Sequence, residues 1–182
     1  MKPIKEMSIG ELAAFICSYL RDNGIEVVLS GGSCVSIYTD NKYASLDLDF
    51  IEFQSAPGKR KLVNVLMKIG FLEENRYFKH PETDYFLEFP AGPLSVGNEP
   101  VKEIFTLSFS TGLLRIISPT DCVKDRLAAY YHWQDRQSLE QALLVAKDNP
   151  IDLGEVARWS KKEGMADRFS RIKGRFIEAL KS

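Results

Sequence analysis

The sequence predicts an α/β (α+β) chain in which a mixed sheet flanked by helices occupies residues 1–117 and a helical part occupies residues 118–182. Three observations predict it. Short β-branched and aromatic runs alternate with helix-period stretches between Ile25 and Ile117. Strand signals stop after Ile117. Ser118-Pro119-Thr120-Asp121 then opens a series of helix-period segments, with a cap at Ser118, proline at the first helical position and an acid three residues after the cap. No internal repeat or low-complexity linker interrupts the chain, so the boundary near Ser118 is expected to separate two packed parts of one body.

Taken in order, Ser8 and Glu11 form a capping box, and Leu12, Phe15, Ile16, Tyr19 and Leu20 follow at helical spacing, so a helix runs from Ser8 to about Asn23. Asn23-Gly24 stops it. Ile25 to Leu29 reads as a short strand ending at Ser30-Gly31-Gly32, and Ser33 to Thr39 has room for only a short helix before Asp40-Asn41-Lys42. Leu46 to Phe53 reads as a second strand, punctuated by Pro57-Gly58, and Lys61 to Ile69 as a helix with Leu62, Val65, Leu66 and Ile69 on one side. Arg76 to Lys79 and Tyr85 to Phe89 suit a hairpin across His80-Pro81-Glu82-Thr83-Asp84. A short extended piece is expected around Leu94 to Val96, and a further hairpin pairs Ile104 to Ser108 with Leu113 to Ile117. Helices are then expected to about Tyr131, from Asp135 to Asn149-Pro150, from Asp152 to the break at Gly164, and from Met165 to Leu180, the last with Phe169, Ile172, Phe176 and Leu180 inward.

With 45% hydrophobic and 27% charged residues the chain has the composition of a globular protein, which excludes disorder as its default state. No apolar run approaches the roughly 20 residues of a membrane span, and the N-terminus lacks the zones of a secretory signal, so a cytoplasmic location is expected. Cys17, Cys34 and Cys122 are odd in number and outside CxxC spacings, which reads as reduced structural thiols. The 24 basic and 25 acidic residues nearly balance, but Arg158 to Lys181 holds eight Lys/Arg against three Asp/Glu.

The chemistry-bearing stretch is Ser30-Gly31-Gly32-Ser33 followed by Leu46-Asp47-Leu48-Asp49-Phe50. Strand side chains alternate faces, so Asp47 and Asp49 point the same way while Leu46, Leu48 and Phe50 are expected to face a core. Two carboxylates side by side repel each other unless a cation or a proton compensates them. Glu88, between Leu87 and Phe89 in a strand closed by Pro90, repeats the pattern of an acid between apolar neighbours. A turn of small residues lets backbone N–H groups approach phosphate oxygens, and the following helix offers its positive end.

On these residues the chain resembles the nucleotidyltransferase-fold superfamily, in particular the minimal nucleotidyltransferases related to kanamycin- and polymerase-beta-type enzymes. Their pattern is a Gly-Gly or Gly-Ser turn, a spacer, an acid-x-acid pair on the next strand and a third acid on a later strand. Gly31-Gly32-Ser33, Asp47-Leu48-Asp49 and Glu88 supply it, with Glu88 where the family more often has Asp. The segment from Ile117-Ser118-Pro119-Thr120-Asp121 to Asp135-Arg136-Gln137-Ser138-Leu139 is also similar to the helical part of AbiEii-type, toxin-like members. The resemblance implies transfer of a nucleoside monophosphate from an NTP to a hydroxyl of RNA, protein or a small molecule, with pyrophosphate released. Two Mg2+ ions, or Mn2+, would be held by Asp47, Asp49 and Glu88, and phosphate by Ser30, Gly31, Gly32 and Ser33. Lys124, Arg126 and Arg136 are expected to contact phosphate or acceptor from the opposite wall. The rival expectation is a catalytically silent module of the same fold that binds a nucleotide or a partner protein, within a toxin–antitoxin pair.

Other residues receive plainer readings. His132-Trp133, with Tyr130 and Tyr131, reads as packing rather than a base-stacking platform. His80 reads as a surface residue. Cys34, at a helix start where a thiol pKa is lowered, reads as a small packed residue. The basic C-terminal helix reads as a solvated face in preference to an RNA-binding one.

Overall fold

The computed structural model describes residues 2–52 and 58–181; Phe53 and Pro57, assigned above to a strand end and a turn, lie outside the described residues. Helix α1 (Ile9–Asp22) begins as its capping box predicts, with Ser8 accepting from Glu11 N–H and the Glu11 carboxylate accepting from Ser8 N–H. It lies along strand β9 (Gly112–Ile117), where the Ser18 hydroxyl accepts from Leu113 N–H at 2.8 Å and donates to Leu113 C=O at 3.2 Å. Gly10 lets the ring of Phe109 approach to a distance that a side chain would forbid, since an added Cβ would lie 2.5 Å from the ring.

Among the described residues, β1 (Val27–Ser30), β2 (Asp47–Glu52), β3 (Leu72–Glu74), β4 (Tyr77–Lys79), β5 (Phe86–Glu88), β8 (Ile104–Phe109) and β9 form one sheet in the order β3-β4-β5-β2-β1-β9-β8. It is mixed: β2 runs antiparallel to β1 and parallel to β5, while β1 runs parallel to β9. Two short strands, β6 (Ser95–Val96) and β7 (Glu99–Pro100), make a separate hairpin. Helices α2 (Gly32–Tyr38) and α3 (Lys59–Met67) follow β1 and β2, and α4 (Pro119–Trp133), α5 (Arg136–Asp148), α6 (Leu153–Lys162) and α7 (Ala166–Ala179) complete the chain. This is the α/β arrangement expected from the alternation, with helices taking over after Ile117. The buried side chains form one cluster that includes Leu12, Leu29, Phe50, Leu127 and Trp159. Hydrogen bonds join the halves on either side of residue 118: the Asn149 amide donates to Tyr38 C=O at 2.8 Å, and the Asn98 N–H donates to the Glu163 carboxylate at 2.9 Å.

Several expectations need correction. Leu48 and Phe50 are fully buried, but Leu46 is 52% exposed because β2 begins only at Asp47. Leu180 is likewise exposed, one residue past the end of α7, whereas Phe169, Ile172 and Phe176 are buried. Strand β3 is exposed throughout and escaped the sequence reading, since an edge strand packed on neither face has no alternation to betray it. His80 is half-buried, with its ring 5.1 Å from that of Phe71. Tyr131 packs as expected, stacked on Trp159 with its hydroxyl bonded to Ser160. Trp133, however, is 80% exposed and His132 is exposed, so the packing assigned to this pair does not hold.

Candidate active site

Strand order and register bring the sequence-predicted acids together. Ser30 at the end of β1 pairs with Asp49 of β2, and Asp49 pairs in parallel register with Glu88 of β5. Glu88, Asp49 and the Ser30-Gly31 turn therefore sit side by side on three adjacent strands, about 4.8 Å apart per step. Asp47 shares the Asp49 face two residues earlier. The Ser30 hydroxyl donates to Asp49 C=O and the Ser33 hydroxyl to Ser30 C=O, both at 3.3 Å, which ties the turn to the acid strand.

Gly31 is required here by both conformation and space. Its φ of 73° and ψ of −159° belong to a region that only glycine occupies without strain. An added Cβ would lie 2.1 Å from Asp49 Oδ2, so the carboxylate fills the volume a side chain would take. The next residues open α2, whose first N–H groups have no partner within the helix. Burial, then the nearby charges of Asp47, Glu88 and Asp125, push the Asp49 carboxyl up to about 7 against the opposing pull of Arg126. The group is thus poised between protonated and ionised at neutral pH, as burial beside other carboxylates favours.

The other expected residues divide. Arg126, on α4, reaches this cleft, with Nη1 3.8 Å from the position a Gly32 Cβ would take. It is held there by Asp125, to which Nε donates at 3.0 Å, and by Gln141 of α5 at 3.4 Å. Lys124 is not brought to the acids. Its side chain is 3% exposed and its ammonium is bound by Asp121 at 2.9 Å and Glu155 at 2.8 Å, on the side of α4 that meets α6. Residues two apart on a helix face nearly opposite ways, so Lys124 and Arg126 could not both line one wall. Arg136 is exposed at the first residue of α5. Cys34 is fully buried, and burial raises its thiol well above the usual range, reversing the lowering that its place at a helix start suggested.

Three neighbours were missed by the sequence reading. Asp125 adds to the field on Asp49; the adjacent Arg126 was the only signal pointing to it. The Ser45 hydroxyl donates to Asp47 Oδ1. Arg76, at the tip of the β3–β4 hairpin, places Nε 3.3 Å from Glu88 Oε1 and its guanidinium 4.8 Å from the centre of the Tyr77 ring. With Glu88 turned to Arg76 and Asp47 to Ser45, no three His, Cys, Asp or Glu side chains among the described residues converge on one metal position. The chemistry of the donor set fits a divalent cation: Asp47 and Asp49 share one face of β2, Glu88 lies beside Asp49 on β5, and hard carboxylate oxygens are the donors such ions take.

A structure of an antigenic nucleotidyltransferase-like protein from Paracoccidioides brasiliensis superposes on this chain with a TM-score of 0.66 at 12% identity, covering 97% of this chain and 95% of the other. The chain has the nucleotidyltransferase fold. The solution structure of the antibiotic-resistance factor ANT(2'')-Ia also aligns, with a TM-score of 0.50, 13% identity and coverage of 93% of this chain and 95% of that one. No family model and no curated protein matches the sequence. In the nucleotidyltransferase fold of this chain, the glycine turn, the acid pair and the third acid fall on β1–α2, β2 and β5. No described helix is long and apolar enough to cross a membrane.

Proposed function

We propose that the protein is a nucleotidyltransferase that moves a nucleoside monophosphate from an NTP to a hydroxyl acceptor and releases pyrophosphate. The observation that carries the reading is the placement of Asp49, wedged against Gly31 and in register with Glu88, with its carboxyl pushed up to about 7 by burial and by its acidic neighbours. Half-buried like charges destabilise a fold, so their clustering on the two neighbouring strands β2 and β5 asks for a cationic ligand. Asp47, Asp49 and Glu88 would hold Mg2+ or Mn2+. When bound there, such ions neutralise phosphate oxygens and stabilise the attacking and leaving oxygens of an in-line displacement.

The chain's own groups account for the rest. The backbone N–H of Gly32 would meet the phosphate chain at the start of α2, where the absence of a side chain at Gly32 permits close approach, while Ser33, fully buried, supports the turn from behind through its bond to Ser30 C=O. Arg126, fixed by Asp125 and Gln141, presents a planar cation to the same phosphates. Glu88, the acid nearest the exposed hairpin tip, would accept the acceptor's proton or hold the cation that activates its hydroxyl.

The fold also supports a second reading, a silent nucleotide- or partner-binding module such as one half of a toxin–antitoxin pair. Its supporting observation is that Glu88 and Asp47 have partners other than a metal ion, in Arg76 and Ser45. Thermal shift of the wild type and of Asp49→Asn with each NTP, with and without Mg2+, tests the site. Mg2+-dependent stabilisation lost in the variant is expected, and equal responses would sink the carboxylate assignment. Pyrophosphate release in a cell extract, followed by identification of the labelled acceptor, separates enzyme from binder; an extract in which none of the four nucleotides labels anything favours the silent module.

A further inference from the structure

One side of α4 runs from the candidate site to the protein surface, its side chains becoming more exposed toward the helix end. Seven residues make almost two helical turns, so Arg126, Tyr130 and Trp133 lie along one side of the helix. Arg126 stands at the inner end beside Gly32. Tyr130, one turn on, is half-buried, with the Arg168 guanidinium 5.9 Å from its ring centre. Trp133, the last residue of α4, is 80% exposed. The contrast with the protein's other tryptophan is sharp: Trp159 is fully buried, and its indole N–H donates to Val96 C=O. From Arg126 to Trp133 the helix rises about 10 Å, a span comparable with that from the phosphate chain to the base of an extended nucleotide. Aromatic rings interleaved with guanidinium groups suit a nucleobase and its phosphates, because every base offers a face for stacking and every phosphate a charge for arginine.

We propose that this face of α4 is the nucleoside subsite, with Trp133 stacking on the base of the nucleotide donor while Arg126 meets its phosphates. The inference rests on the nucleotide-donor reading above. Stacking of this kind tolerates any base, so the subsite binds purine and pyrimidine nucleotides alike, with purines somewhat tighter for their larger face.

Indole fluorescence tests it directly, since Trp159 is shielded and Trp133 is the tryptophan that solvent and ligand reach. The wild type and Trp133→Leu are titrated with ATP, CTP and inorganic tripolyphosphate in the presence of Mg2+, with melting temperature followed in parallel. Both nucleotides should quench the wild-type emission, while tripolyphosphate raises the melting temperature without quenching. Trp133→Leu should lose the quench and bind nucleotide about 5- to 100-fold more weakly, with its response to tripolyphosphate unchanged. Nucleotides that stabilise the protein without altering indole emission, or that bind Trp133→Leu as tightly as wild type, would overturn the subsite alone. Quenching by single-stranded RNA but by no nucleotide would also overturn it. A melting temperature unmoved by nucleotide and tripolyphosphate alike would overturn the donor reading, and the subsite with it.

Discussion

Replacement of Gly31 by alanine separates the role of the glycine turn from that of the acids. At φ 73° and ψ −159° an alanine is strained by about 1–3 kcal/mol, which for a chain of this size lowers the melting temperature by roughly 2–12 °C. The second effect is local. The new methyl group would stand 2.1 Å from Asp49 Oδ2, so the carboxylate must rotate out of the position that register with Ser30 and Glu88 gives it. Displacing a ligand or its support by this much reduces metal affinity by about 10- to 100-fold. Gly164 is the matched control: its φ is 75°, nothing lies within 4 Å of an added Cβ, and it ends α6. Gly164→Ala should lose about 1–2 kcal/mol of stability and keep full affinity. The assay is calorimetric titration of Mn2+ into each variant well below its melting temperature. A Gly31→Ala protein that binds Mn2+ as tightly as wild type would refute the argument that the missing side chain makes room for Asp49.

Three further outcomes follow from the geometry. Arg76→Gln frees Glu88 from its exposed ion pair, so Mn2+ should bind about 1.4- to 5-fold more tightly, the equivalent of a surface pair's ~0.2–1 kcal/mol; calorimetry showing weaker binding would mean that Arg76 supports the acids rather than competing for one. Lys124→Met strands the buried Asp121 without its cation, while Glu155 keeps Lys102 and Arg158, which should cost about 3–5 kcal/mol in urea unfolding, yet leave nucleotide affinity unchanged, whereas Arg126→Gln should weaken nucleotide binding. Asp49 titrates in the folded protein near 7 rather than 3.8, so the native state binds more protons than the unfolded one and loses stability as pH rises between those values. Without added metal, Asp49→Asn should therefore melt higher than wild type above pH 7, with the gap closing below pH 4; a gap independent of pH would contradict the raised carboxyl.

Much of the site was legible because strands encode faces in a period of two. Asp47 and Asp49 could only point together, and Glu88 between two apolar residues could only point away from the core, so alternation marks these acids as candidates and the resemblance to the nucleotidyltransferase pattern joins them. What alternation cannot encode is which strands are neighbours. The β5-β2-β1 order that sets Glu88 beside Asp49 and Asp49 beside Ser30 is a property of long-range pairing. On the helical side the reading failed where a face was not worked out: Lys124 and Arg126 were taken together although a two-residue step turns a helix through more than half a revolution. Leu46, Leu180 and Trp133 were assigned to packing by residue type, yet each lies at or just beyond the end of its element, where the partner surface has run out. Arg76 and Ser45 carried no sequence signal, since their importance lies only in which acid they meet.

The parallel pairing of β1 with β9 has a consequence for the order in which the molecule is made. Leu29 finds its partner Ile116 only after most of the intervening chain has been synthesised, and closing so long a loop is slow and entropically costly. Until then the strand that ends in the glycine turn has one open edge, and the acids of β2 rest on an incomplete sheet. A nascent chain released or cleaved before residue 116 would carry Asp47, Asp49 and Glu88 and still lack the strand that pairs with β1 beside the turn. The candidate site is thus assembled late in synthesis, with the β8–β9 hairpin acting as a late fastening.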